Sequence, residues 1–244
     1  MLPFLLLATR AEDRAADEEY AAFLRFGGLA ESELVRHRLE RDPLGDLRLD
    51  DFSGVILGGS PFTTSVPKEE KSEAQLRVES ELSVLLDEVV ARDFPLLGAC
   101  YGVSTLGVHQ GGLVDGTYTE PVSAVTVTLT EAGRRDPLLG VLPQTFEAYV
   151  GHKEAVTSLP GHAVLLAGSP ACPVQAFKVR QNVYATQFHP ELDVPGIHTR
   201  IEIYKHAGYF APETAAELKE QTGRAHVVHP PTMVRRFVEL YARS

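Results

Sequence analysis

The stretch Phe94-Pro95-Leu96-Leu97-Gly98-Ala99-Cys100-Tyr101-Gly102 constrains this chain more than any other, because it demands a buried strand, a sharp turn and a helix in quick succession. Phe94 to Leu97 is a short apolar run with the length and composition of a buried strand. Val103 to Gln110 reads as a helix. Between them, small residues flank a cysteine, as a tight strand-to-helix turn requires, since larger side chains there would strike the neighbouring strand or helix. Such a turn lifts the central side chain to the mouth of the sheet. It also sets the Cys100 thiol at a helix N-terminus, whose partial positive charge favours the thiolate. Taken alone, the turn suits an ordinary buried cysteine nearly as well.

Around this stretch the chain alternates short apolar strands with helices. Pro3–Ala8 is a strand, Asp13–Arg25 a helix stopped at Gly27-Gly28, Leu34–Leu39 a more charged strand nearer the sheet edge, and Gly54–Leu57 another apolar strand. Lys68–Ala91 is a long helix, with Leu76, Leu82, Leu85, Leu86 and Val89 on one face. This alternation predicts an α/β fold: a mostly parallel sheet with helices on both faces. Beyond Gly111-Gly112 the character shifts to strands joined by short turns. Val122–Leu129 alternates, and Thr145–Val150, Ala163–Leu166, Val174–Val179 and Val183–Phe188 follow, predicting antiparallel additions to the sheet. Helices are expected over Gly196–Ala207, Ala211–Thr222 and Pro231–Ala242. We expect one main domain over residues 1–207 and a helical C-terminal extension, 208–244, packed on it.

Composition narrows the function. A formal net charge of -10 over 244 residues argues against a nucleic-acid surface, which needs a basic stripe. No apolar run approaches a membrane span, and Leu2–Ala8 is too short for a signal-peptide core. Cys100 and Cys172 lie in unlike contexts, so a disulfide framework is not expected and a reducing cytoplasm is.

The second chemistry-bearing stretch is Tyr184-Ala185-Thr186-Gln187-Phe188-His189-Pro190-Glu191. Its strand delivers His189 at the C-terminal end, and Glu191, two residues on in an extended segment held by Pro190, points the same way. A carboxylate beside an imidazole fixes its tautomer and leaves the other nitrogen to act as base. A thiol served by such a pair is the layout of covalent acyl transfer. Gly58-Gly59, at the end of an earlier strand, leaves backbone N–H groups exposed. With the N–H of Tyr101, one of these could form an oxyanion hole. Ligand sites of open α/β sheets gather at these strand ends.

Taken in order, Ile56-Leu57-Gly58-Gly59-Ser60-Pro61, Gly98-Ala99-Cys100-Tyr101-Gly102 with Gly111-Gly112, and Gln175-Ala176-Phe177 through His189-Pro190-Glu191 resemble the class I (triad) glutamine amidotransferases, most closely their stand-alone, GMP-synthase-like domains. Gly151-His152-Lys153-Glu154-Ala155-Val156 falls where those domains carry His-x-Asp-x-Val. The resemblance implies a flavodoxin-like sheet, a Cys100–His189–Glu191 triad, no cofactor and no metal. It also implies a substrate pocket at Gly58, Gly59, Tyr101, Ser104, Gly151 and His152, holding L-glutamine or another γ-glutamyl substrate. Ammonia would pass to a separate synthetase subunit, since no phosphate-binding Gly-x-x-x-x-Gly-Lys-Ser/Thr loop occurs here. One position departs from the family pattern. Its glutamine four residues after the nucleophile is Ser104 here, and Gln110 lies too far round the helix to replace it. The alternatives are therefore a stand-alone γ-glutamyl peptide hydrolase and a non-catalytic binding subunit. His198, Glu202 and His206 recur at helical spacing but read as a solvated helix face, and Cys172 reads as structural.

Overall fold

The computed structural model describes residues 1–243. In chain order the elements are β1 (Phe4–Ala8), α1 (Asp13–Gly27), β2 (Leu34–Arg38), β3 (Val55–Leu57), α2 (Glu73–Arg92), β4 (Leu96–Ala99), α3 (Tyr101–His109), β5 (Leu113–Asp115), β6 (Glu120–Leu129), α4 (Glu131–Arg135), β7 (Thr145–His152), β8 (Ala155–Ser158), β9 (Val164–Gly168), β10 (Ala176–Val179), β11 (Val183–Thr186), α5 (Val194–Tyr204), α6 (Ala215–Arg224) and α7 (Pro230–Tyr241). A nine-stranded sheet runs β2-β1-β3-β4-β11-β10-β9-β6-β7, and β5 pairs with β8 in a small separate sheet. From β2 to β11 every pairing is parallel. From β11 through β10, β9 and β6 to β7 every pairing is antiparallel.

The period-2 pattern of β1 explains how the layers form. Phe4 and Leu6 face a core shared with Phe23 of α1 and Phe237 of α7. Leu5 and Leu7 face the opposite core, with Val78, Leu82 and Leu86 of α2 and Leu106 of α3. Each of these leucines is at most 1% exposed, so truncating one to alanine costs about 2–5 kcal/mol. A third apolar cluster joins Val122 and Tyr149 to Ile197 and Ile201 of α5, with Leu218 of α6 packed against it. It ties the C-terminal helices to the antiparallel half of the sheet.

Two local outcomes differ from the sequence expectation. The long helix starts at Glu73, because Ser72 caps it by accepting the Gln75 N–H (3.1 Å), and Lys68–Glu70 is a separate 3-10 turn. The β5–β8 pair was not anticipated; both strands are short and lack a long alternation.

Candidate active site

The parallel half of the sheet places β4 between β3 and β11. Their carboxyl ends therefore deliver Gly58-Gly59, Cys100 and the His189 segment to one rim. At the tip of β4, Cys100 adopts φ 52°, ψ -86°, a conformation that costs a non-glycine residue of order 1–3 kcal/mol. Its N–H donates to the Thr186 carbonyl (2.7 Å), which holds the turn against β11. The turn closes only because its flanks are glycines: a Cβ on Gly98 would lie 3.0 Å from the Gly102 Cα. Tyr101 opens α3, so its N–H has no intrahelical acceptor.

His189 is 7% exposed, and its Nδ1–H donates to Glu191 Oε1 at 2.7 Å. This leaves Nε2 free on the side of the ring away from Glu191, and the ring borders the same hollow as the Cys100 sulfur. Burial lowers the imidazole pKa, but the charges of Glu191 and Cys100 outweigh it and raise it to about 9. Burial raises the Glu191 carboxyl; the charge and hydrogen bond of His189 overcome this and hold it below the ordinary carboxylate range. Gln187 Nε2 also approaches the sulfur, at 4.0 Å.

Gly59 meets the ring so closely that a Cβ there would be 2.7 Å from His189 Cε1 and 2.4 Å from Arg10 Nη2. Its N–H donates to Glu19 Oε1 (3.3 Å), and its carbonyl accepts from Thr9 Oγ1 (3.3 Å). In this structure the Gly59 N–H is thus engaged from the α1 side and not by the sulfur. Gly58 packs against the same Glu19 carboxylate.

Two hollows meet at Cys100, with Ser60, Gly151 and Tyr209 bordering both. One is polar and bounded by Tyr101, Ser104, Glu154 and Gln187. Ser104 is 2% exposed, and Glu154 braces the loop above by accepting the Thr64 and Ser65 N–H groups at 2.9 and 2.7 Å. The other is bounded by His189, Arg10, Arg200, Leu192 and Ile197. Tyr209 roofs them from the segment after α5, which Lys153 pins by donating to the Ala207 carbonyl (2.6 Å) and lying over the Tyr209 ring. A surface hollow of about 340 Å³ lies between α1 and α5 and does not include Cys100.

His152 sits at the edge of the polar hollow, but its ring turns inward. Its nitrogens face Glu120 Oε2 (2.9 Å) and the Glu154 carbonyl (2.9 Å). Cys172 lies beside the same Glu120, and Gln175 Nε2 donates to that carboxylate (2.7 Å). Burial first, and the Glu120 charge second, push the Cys172 thiol up to about 12, so it remains protonated. His198 donates to the Lys219 carbonyl (2.9 Å) and Glu202 pairs with Lys219, so this helix face is engaged by α6.

Sequence reasoning missed Arg10, Glu19, Arg200 and Tyr209. Arg10 had a usable signal, since it lies just past the carboxyl end of β1, on the rim where this architecture builds its sites. Glu19 and Arg200 sit in helices, where charged residues ordinarily face water.

A family model described as glutamine amidotransferase class-I matches residues 24–199. The chain is 31% identical over 162 residues to a glutamine-hydrolyzing GMP synthase subunit from Methanobrevibacter smithii, covering 66% of this chain and 74% of that protein. It is 28% identical to the corresponding protein of Pyrococcus abyssi, over 69% of this chain and 80% of that one. Against the longer glutamine-hydrolyzing GMP synthase of Porphyromonas gingivalis it is 34% identical, over 59% of this chain but only 26% of that protein. The chain thus spans about a quarter of that longer relative. In fold it resembles a glutamine amidotransferase from Thermotoga maritima, with a TM-score of 0.78 at 20% identity over 100% of both chains.

Proposed function

Because this chain belongs to the class-I glutamine amidotransferase family, we propose that it cleaves the side-chain amide of glutamine through a thioester on Cys100 and supplies the ammonia to a separate acceptor-activating protein. The observation that carries this reading is the His189 ring, fixed by Glu191 at 2.7 Å and bordering one hollow with the sulfur at the strained turn. The sulfur attacks the γ-carbonyl carbon. The Tyr101 N–H, at the head of α3, stabilises the oxyanion that develops. His189 passes its Nε2 proton to the departing nitrogen, and Glu191 holds the imidazolium in place through Nδ1. Water then adds to the thioester, His189 takes its proton, and glutamate leaves.

The polar hollow suits the glutamyl head, with Ser104 and the backbone near Gly151 to receive it. The match to relatives named as one subunit of a glutamine-hydrolyzing synthase supports a partner that activates the acceptor. No helix among the described residues is long and apolar enough to cross a membrane. The test is a glutaminase assay with covalent labelling by an electrophilic glutamine analogue. Wild-type protein is expected to release glutamate and to take one label at Cys100, and Cys100→Ala to do neither. A labelled Cys172, or glutamate release that survives Cys100→Ala, would refute the assignment.

A further inference from the structure

Away from the Cys100 thiol, three side chains of metal-binding type meet in the antiparallel half of the molecule. Glu120 opens β6, His152 closes β7, and Cys172 lies in the connection between β9 and β10. One donor atom from each lies within 4.8 Å of the other two. Glu120 and His152 are 3% and 5% exposed, and Cys172 is fully buried. A carboxylate, an imidazole and a thiol are costly to enclose together unless something answers their lone pairs.

The Glu154 carbonyl can only accept, so the proton of a neutral His152 ring sits on Nδ1, 2.9 Å from that oxygen. Nε2 then turns its lone pair to Glu120 Oε2 at 2.9 Å, itself an acceptor. Ionising the ring would mend that one contact. It would still leave Glu120 Oε1 and Gln175 Oε1, both buried, without a hydrogen-bond partner among the described residues. Nor would it give the neighbouring thiol a role. A single cation answers the imidazole, the carboxylate and the sulfur together. An Nδ1–H given to a backbone carbonyl is also the arrangement that presents Nε2 to a metal. Gln175 Nε2, 2.7 Å from Glu120 Oε2, orients the carboxylate from behind.

We propose that Glu120, His152 and Cys172 form a structural binding site for Zn²⁺. Sulfur, imidazole nitrogen and carboxylate oxygen are donors that zinc accepts together, whereas Mg²⁺ and Ca²⁺ take oxygen. A tetrahedral Zn²⁺ spaces such donors roughly 3–4 Å apart, so shifts of about an ångström at each donor admit the ion. A half-turn of the Gln175 amide brings its Oε1 to the position of Nε2, where it serves as the fourth donor. On binding, the Cys172 S–H proton leaves to solvent and a Zn–S bond takes its place. The ion ties the start of β6 to the end of β7 and to the β9–β10 connection. This site stands apart from the triad, owes nothing to the glutaminase reading, and goes beyond the family resemblance, which implies no metal.

The test measures zinc in the full chain by elemental analysis. The protein is taken first as purified from zinc-supplemented medium, then after refolding with Zn²⁺, because a buried cluster loads as the fold closes. The chain's other cysteine, Cys100, shares a hollow with His189, so Cys100→Ala is the control for binding there. We expect about one zinc per chain in wild type and in Cys100→Ala, and at least about 100-fold weaker binding in Cys172→Ala. Co²⁺ in place of zinc should give a thiolate-to-metal absorption band in the first two proteins and none in the third. A chelator should lower the melting temperature of the first two and leave Cys172→Ala unmoved. Should Cys172→Ala fail to fold, the Co²⁺ band in Cys100→Ala, whose sole thiol is Cys172, decides the matter alone. Zinc lost from Cys100→Ala but kept in Cys172→Ala places the ion at the triad and overturns the proposal. So does the lack of zinc after both preparations, or cobalt bound without a thiolate band.

Discussion

The molecule holds two buried histidine–glutamate pairs of nearly the same geometry. His189 meets Glu191 at 2.7 Å, and His152 meets Glu120 at 2.9 Å. They differ in what the second nitrogen does. His152 turns its second nitrogen to the Glu154 carbonyl, so the ring is closed on both sides and serves as a brace beneath the polar hollow. His189 keeps its second nitrogen free, in the hollow it shares with the Cys100 sulfur at the open rim of the sheet. A carboxylate beside an imidazole is therefore not what makes a base; a free nitrogen facing a reactant is.

Substitutions can break this contrast. His189→Asn is expected to abolish turnover, by about 10⁴-fold or more in kcat, because the proton donor and acceptor are lost together. Glu191→Gln should lower kcat by about 10²–10⁴-fold while Cys100 still takes the covalent label, since the ring loses its orienting partner but not its place. Gly59→Ala should cost about 10²-fold, because the added methyl would displace the ring or Arg10. At the other pair, His152→Asn should leave kcat within about fivefold. It should cost roughly 3 kcal/mol in a denaturation experiment, because Glu120 stays buried with one partner fewer. If His152→Asn instead matched His189→Asn in lost turnover, the distinction between brace and base would fail.

The pH profile sharpens the same comparison. The His189 pKa is raised to about 9 by Glu191 and Cys100 against the opposing effect of burial. The protonated ring thus persists through neutral pH, and kcat is expected to fall as pH rises through about 9. In Glu191→Gln the larger of the two raising charges is gone, leaving only that of Cys100 against burial, so this alkaline limb should move to lower pH. The sign for stability is the same. The pair stabilises the fold fully below the ordinary histidine pKa, and that contribution fades as pH rises through about 9. A limb that stayed in place in Glu191→Gln would assign the titration to another group.

The sequence was most legible where backbone shape and chemistry coincide. Gly98 and Gly102 flank Cys100 because the strand and helix touch there, and that crowding is written in the residue types. Glu191 sits two residues beyond His189 across a proline, so extended geometry alone brings them together. Arg10, Glu19 and Arg200 were not legible in this way. Glu19 belongs to a helix rich in charge, and only the packing of α1 against Gly58-Gly59 and α5 turns it from a surface acid into a 1%-exposed one. The motif around His152 reads as a substrate contact, but local sequence cannot say that its ring turns toward Glu120, 32 residues earlier.

Tyr209 overlooks both sides of the reacting sulfur from the connection that Lys153 pins. The chain contains no tryptophan. A Tyr209→Trp replacement would therefore place the protein's sole indole fluorophore above its nucleophile. Changes in emission could then follow, turnover by turnover, when the cleft fills and when it empties.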